Sequence, residues 1–395
     1  MSKKKLGLVP RLIIGIIVGI ILGSYAPEVL NRTVITLSSF FSSFLKFIIP
    51  LMILAFVTTG IADLTQGAGK LLLATVGLAY SSTLIAGTCA YILANNLFPY
   101  FITTSLMENI GDPEAGMLSP FFGLAIPPML DVISAVTLAF ILGLCISSMR
   151  GGKIQNAIYD VFNELTQIIN TVLHTVIIPL LPLYICGTFI NMTVSGQTLI
   201  ILNIFLKVFA TVIALHLTFL LCAFIIAGLI GKKNPAVMIK NQIPGYITAI
   251  GTQSSAATIP VNLECAENNG ISREIRNFVI PLCANIHLAG SMITITSCIT
   301  AVLLMYQKEH SLQIIVPFIL VLGVAMVAAP GAPGGAIMTT LPFLPMVDIA
   351  SDGTIASLLI ALYITQDSFG TACNVSGDNA IAAIIDTFYH KMIKT

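Results

Sequence analysis

The chain has 395 residues, of which 56% are hydrophobic and only 9% charged, with a formal net charge of +1 and a mean hydropathy of +0.98. About a quarter of a soluble domain's residues carry charge, so this composition excludes a soluble globular protein and identifies an integral membrane protein. The net charge says nothing about partners; the expected surroundings are a lipid bilayer, with no nucleic acid.

Apolar segments of helical length, rather than short alternating strands, point to an all-α bundle over a barrel. Full spans are predicted at about 8–30, 35–60, 71–98, 119–148, 156–190 and 198–231. The first of these follows MSKKKLGLVPR and could pass for a signal peptide, but without a convincing cleavage site it reads as a retained helix. Lys3, Lys4, Lys5 and Arg11 place the N-terminus in the cytoplasm by the positive-inside rule. Arg150 and Lys153 then fall inside after four crossings, and Lys232, Lys233 and Lys240 after six. The loop 99–118, with Glu108, Asp112 and Glu114, falls outside. Asp131 is expected to cap a helix after the Pro127–Pro128 break. The eight cysteines are scattered singly with no CxxC pair, which suggests neither a disulfide framework nor a metal cluster.

After Lys240 the pattern changes. The segment 242–269 is broken by TQSSAATIP, and a single crossing would put Arg273 and Arg276 outside, against the parity of the earlier clusters. A hairpin that enters and returns keeps them inside. A full span follows at 277–306. The segment 313–347 is interrupted by APGAPGG, and a last span at 355–389 leaves Lys391 and Lys394 in the cytoplasm. Hairpin, span, hairpin, span, with hairpins opening from opposite sides, is an inverted-repeat pattern of secondary transporters. Gly331, Gly334 and Gly335 permit unusual dihedrals and Pro330 and Pro333 lack amide donors, so the second tip leaves backbone polar groups free. Such groups are tolerated at membrane depth only where they line a cavity or bind something.

Within the last span, Asp367, Thr371, Asn374 and Asp378 fall at i, i+4, i+7 and i+11, one polar stripe on a helix. A charge at membrane depth costs about 2.5–3.5 kcal/mol on insertion scales. No Lys or Arg occurs between Lys308 and Lys391 to balance the two carboxylates. A bound cation or a cationic substrate group is the natural counter-charge.

Three blocks carry a family resemblance: SSAATIPVN (254–262), PGAPGGAIM (330–338) and QDSFGTACNVSGD (366–378). With the order of spans, they resemble the dicarboxylate/amino-acid:cation symporters, which include the glutamate and aspartate transporters and the bacterial serine/threonine:sodium symporters. The serine/threonine branch is the nearer in motif. The resemblance implies eight transmembrane helices plus two re-entrant hairpins of opposite orientation, a homotrimer, and elevator-type motion of 242–389 against a scaffold within 1–231. Parts of the third and sixth spans are open to either unit. It further implies that Asp367 holds a substrate ammonium, that Asn374 donates to its carboxylate, and that Ser255, Gly334, Gly335 and Thr371 complete the pocket. Asp378 falls on the carboxylate of a sodium site, with the Asn374 carbonyl and the backbone near Cys283 as co-ligands.

Two departures qualify this. The arginine that pairs an acidic substrate's side chain is Gly370 here, and the alternative position is Gln253. A buried unpaired carboxylate is costly, so a small neutral amino acid such as serine, threonine or alanine is expected, with acidic or larger neutral substrates as alternatives. The usual Asn-Met-Asp-Gly-Thr is His287-Leu288-Ala289-Gly290-Ser291, so fewer sodium ions per cycle are expected. His287 opens three readings: a sodium ligand, a hydrogen-bond partner of Ser291 or Asp378, or a proton-coupling group. Ser81, Ser82 and Thr83 resemble the other wall of that site. His174 and His216 read as packing or hydrogen-bonded residues. An enzyme is not expected; the remote exception is an intramembrane serine hydrolase using Ser254 or Ser255 with His287.

Overall fold

The computed structural model describes residues 8–64, 70–102, 117–130, 132–150, 157–196, 198–328 and 334–393, and every regular element among them is helical. In chain order the α-helices are α1 (Leu8–Tyr25), α2 (Glu28–Leu64), α3 (Lys70–Leu97), α4 (Val132–Arg150), α5 (Ala157–Val172), α6 (Ile178–Val194) and α7 (Thr198–Gly231). They continue as α8 (Pro235–Thr252), α9 (Ser255–Asn268), α10 (Arg273–Ile286), α11 (Ala289–Met305), α12 (Leu312–Ala325), α13 (Gly335–Thr340), α14 (Gly353–Ile364) and α15 (Asp367–Ile393). Among the described residues, five stretches are long and apolar enough to cross a membrane: Glu28–Thr59, Leu71–Tyr100, Ala157–Val194, Thr198–Gly231 and Arg273–Met305. Large apolar side chains such as Ile17, Leu206, Leu217 and Leu229 face outward, as a bilayer requires.

Several expected spans are interrupted. The fourth becomes helical only from Val132, because Pro120, Pro127 and Pro128 withhold amide donors across 117–130; Asp131 lies outside the described residues, as do Lys153 and the acidic residues of the 99–118 loop. The fifth contains a π turn at Leu173–Ile177 between α5 and α6. The seventh is not continuous: it breaks at His287–Leu288 between α10 and α11. The last breaks at Thr365–Gln366 between α14 and α15. These two breaks create the site.

Helices α1, α2, α4, α5 and α6 pack mainly on one another. Gly15 and Gly19 let α1 lie directly on α6, since a Cβ added at either would stand 2.6 Å from the Pro182 or Cys186 carbonyl oxygen. The second group is centred on α11 and α15, both almost wholly buried, wrapped by α3, α7, α8, α9 and α10. Helices α3 and α7 thus pack on the C-terminal half although they precede it in the chain.

Both interrupted segments return to where they began. Lys233, before α8, donates to the carbonyls of Asn269 and Gly270, after α9, at 2.7 and 2.8 Å. Lys308, before α12, pairs with Asp348, after the 3-10 turn Leu341–Val347, at 2.7 Å. The first tip turns at Gln253, whose φ of +52° ends α8, and at Ser254, whose hydroxyl caps α9 by accepting from Ala257 N. At the second tip, Pro330, Gly331 and Pro333 lie outside the described residues, and Gly334 has a φ of +78° that favours glycine.

Candidate functional site

The first turn of α15 carries Asp367, 5% exposed. Its Oδ2 accepts from Gly334 N at 2.7 Å, and its Oδ1 accepts from the Tyr363 hydroxyl at 2.8 Å. The second hairpin therefore meets the break of the last span at this carboxylate. Gly335, next to Gly334 in the chain, begins α13 and is buried, and the Thr371 hydroxyl donates to the Asp367 carbonyl at 2.9 Å. Sequence reasoning passed over Tyr363, although its i,i+4 spacing from Asp367 was the signal that finds it.

Asn374 meets the other break. Its Oδ1 accepts from the amides of Gly290 (2.8 Å) and Ser291 (3.3 Å), which are orphan donors in the first turn of α11, and its Nδ2 donates to Ser291 Oγ at 2.9 Å. A residue of α15 thus caps α11. Gly290 is needed there: an added Cβ would meet the Gly370 carbonyl and stand 2.5 Å from Cys373 Cβ. The Cβ direction of Gly370 is bordered by Thr294 Oγ1 at 3.4 Å, so α11 takes part of the room beside this glycine. On the far side of Gly290, its carbonyl receives His216 Nε2 at 3.0 Å and the Thr294 hydroxyl at 3.0 Å. His216 is a fully buried hydrogen-bonding residue, tying α7 to the break.

One turn further along α15, Asp378 Oδ1 lies 2.9 Å from His287 Nδ1, and His287 Nε2 lies 3.1 Å from Ser82 Oγ on α3. Thr83 Oγ1 accepts from Leu288 N at 3.3 Å. The Ser82–Thr83 pair is therefore the wall opposite His287. Asp378 Oδ2 is buried with no partner among the described residues, which leaves a hard oxygen of negative charge open to a small cation. The Cys283 carbonyl is occupied by His287 N at 2.8 Å, and its thiol is buried. Among the described residues no cluster of three His, Cys, Asp or Glu side chains forms a transition-metal site.

The remote alternative, a pairing of Ser254 or Ser255 with His287, does not occur, because both ring nitrogens of His287 already have partners. Ser82–His287–Asp378 has the bond order of a hydrolase triad. Ser82, however, lies in the middle of α3, where neighbouring amides are held in helical bonds and offer no oxyanion donors.

The first hairpin is fixed to α15 by buried amides. Asn262 Nδ2 donates to the Val375 carbonyl at 2.9 Å, Gln242 Nε2 donates to Asn262 Oδ1 at 3.0 Å, and Asn269 Nδ2 donates to Asn379 Oδ1 at 3.1 Å. Ser255 is buried at the start of α9, the helix these amides fix against α15.

A family model described as the Sodium:dicarboxylate symporter family matches residues 8–388. The chain belongs to that family, whose members are sodium-coupled membrane transporters and not enzymes.

Proposed function

From that membership, we propose that the chain is a sodium-coupled symporter of a small neutral amino acid, serine, threonine or alanine. The observation that carries this reading is that buried Asp367 is bonded only to neutral donors among the described residues, Gly334 N–H and the Tyr363 hydroxyl. Its charge is free for an ammonium, and a charge-assisted bond there is strong in a dry pocket. An amide nitrogen carries two hydrogens, so Asn374 Nδ2 keeps one for the substrate carboxylate after donating to Ser291. The α9 amides at Ser255 and the tip backbone at Gly334 and Gly335 complete the enclosure, with Thr371 and Gly370 on the substrate-facing turn. No Lys or Arg lies between Lys308 and Lys391 to pair a second carboxylate, which disfavours aspartate and glutamate.

Asp378 is the sodium carboxylate in this reading, with its unpartnered Oδ2 directed to the ion and the Asn374 carbonyl as co-ligand. The core around α11 and α15, with α3 and α7, moves as an elevator against α1, α2, α4, α5 and α6 within a homotrimer. The two hairpins are re-entrant, eight further segments cross the bilayer, and both termini are cytoplasmic.

The His287–Asp378 contact favours one second reading, in which a proton replaces a sodium ion. Uptake of labelled serine into proteoliposomes separates the two. Accumulation driven by a sodium gradient and indifferent to a pH gradient supports sodium coupling; accumulation driven by a pH gradient alone overturns it.

A further inference from the structure

Tyr363 sits in the last turn of α14, four residues before Asp367, with its side chain fully buried. Its hydroxyl holds one Asp367 oxygen at 2.8 Å while Gly334 N holds the other at 2.7 Å. Each oxygen of the carboxylate therefore has a donor supplied by the chain itself.

A carboxylate buried without donors is penalised heavily. A carrier that accumulates substrate must complete half of each cycle without it, and during that half the ammonium is not there to satisfy Asp367. We propose that Tyr363 is a positioning residue that stands in for the ammonium, keeping Asp367 satisfied in the substrate-free half of the cycle. This rests on the amino-acid reading above. A phenol suits the task because it is neutral and brings a single donor. An arriving ammonium, with three donors and a charge, then makes the stronger bond to the same carboxylate. Phenylalanine would fill the same volume with no donor, so Tyr363→Phe isolates the hydroxyl from the packing.

The test compares two transport modes in one preparation of proteoliposomes, with labelled L-serine as probe. Exchange, with serine on both sides, never requires the empty carrier to cross the bilayer; net uptake into serine-free vesicles under a sodium gradient does. Tyr363→Phe is expected to lower net uptake by about tenfold or more beyond whatever change it makes in exchange, the size expected when a buried acceptor loses its donor. Exchange doubles as the control for folding. Equal losses in both modes, or unchanged net uptake, would overturn the role of Tyr363. A wild-type protein that moves neither serine nor any other amino acid would instead overturn the function reading beneath it, and the two failures differ in which protein shows them.

Discussion

His287 Nδ1 lies 2.9 Å from Asp378 Oδ1, and the two side chains are almost completely shielded, at 1% and 0% exposure. The imidazole satisfies one carboxylate oxygen, Ser82 fixes the ring from the other side, and the second carboxylate oxygen has no partner among the described residues. Removing one partner of a buried pair leaves the other uncompensated. His287→Ala is therefore expected to destabilise the protein by about 3–5 kcal/mol, with His287→Asn recovering part of the loss. Thermal unfolding in detergent reads the difference, and an alanine variant that melts as the wild type would contradict the pairing.

Gly377 makes room for that ring. A Cβ added there would stand 2.5 Å from His287 Cε1. Overpacking of this kind costs about 1–3 kcal/mol, so Gly377→Ala is expected to lower both stability and transport. Because the harm acts through the ring, the penalties of Gly377→Ala and His287→Ala should fall short of their sum when combined. Strict additivity in a double-mutant melting cycle would refute the contact.

Asp367→Asn keeps the shape of the side chain and removes its charge. Hydrogen bonds to charged groups contribute about 1.5–3 kcal/mol, so serine binding is expected to weaken by about 10- to 150-fold with the fold intact. Calorimetric titration of the purified variant measures this, and undiminished affinity would displace Asp367 from the ammonium site.

Asn262 bonds the Val375 carbonyl from the first hairpin. Asn262→Leu is expected to destabilise by about 1–3 kcal/mol by leaving a buried acceptor unsatisfied. If melting is unchanged, the hairpin is not anchored to α15 by this amide.

The polar stripe of Asp367, Thr371, Asn374 and Asp378 was legible because a 3.6-residue period survives any tertiary arrangement. The first hairpin was legible from charge parity at Arg273 and Arg276. The break at His287–Leu288 was not, because its sequence holds no proline between Pro281 and Gly290, and the helix stops there through partners elsewhere: Asn374 takes the Gly290 and Ser291 amides, and Thr83 takes that of Leu288. The bond from His287 to Asp378 was among the readings open from sequence, whereas the choice of Asp378 over Ser291 depends on how α3 and α15 pack. The late start of α4 had a local signal in Pro127 and Pro128, outweighed in the reading by apolar length. The absence of an arginine at Gly370 is plain in the sequence, whereas the close approach of α11 to that glycine is a packing fact that composition does not carry.

The most direct measurement is substrate binding to Asp378→Asn, titrated by calorimetry at low and high sodium. Ion and substrate bound to one unit raise each other's affinity reciprocally, so wild-type affinity should climb with sodium while the variant still binds substrate and ignores sodium. A variant whose affinity climbs with sodium as steeply as the wild type's would contradict the assignment of Asp378 to the coupling ion.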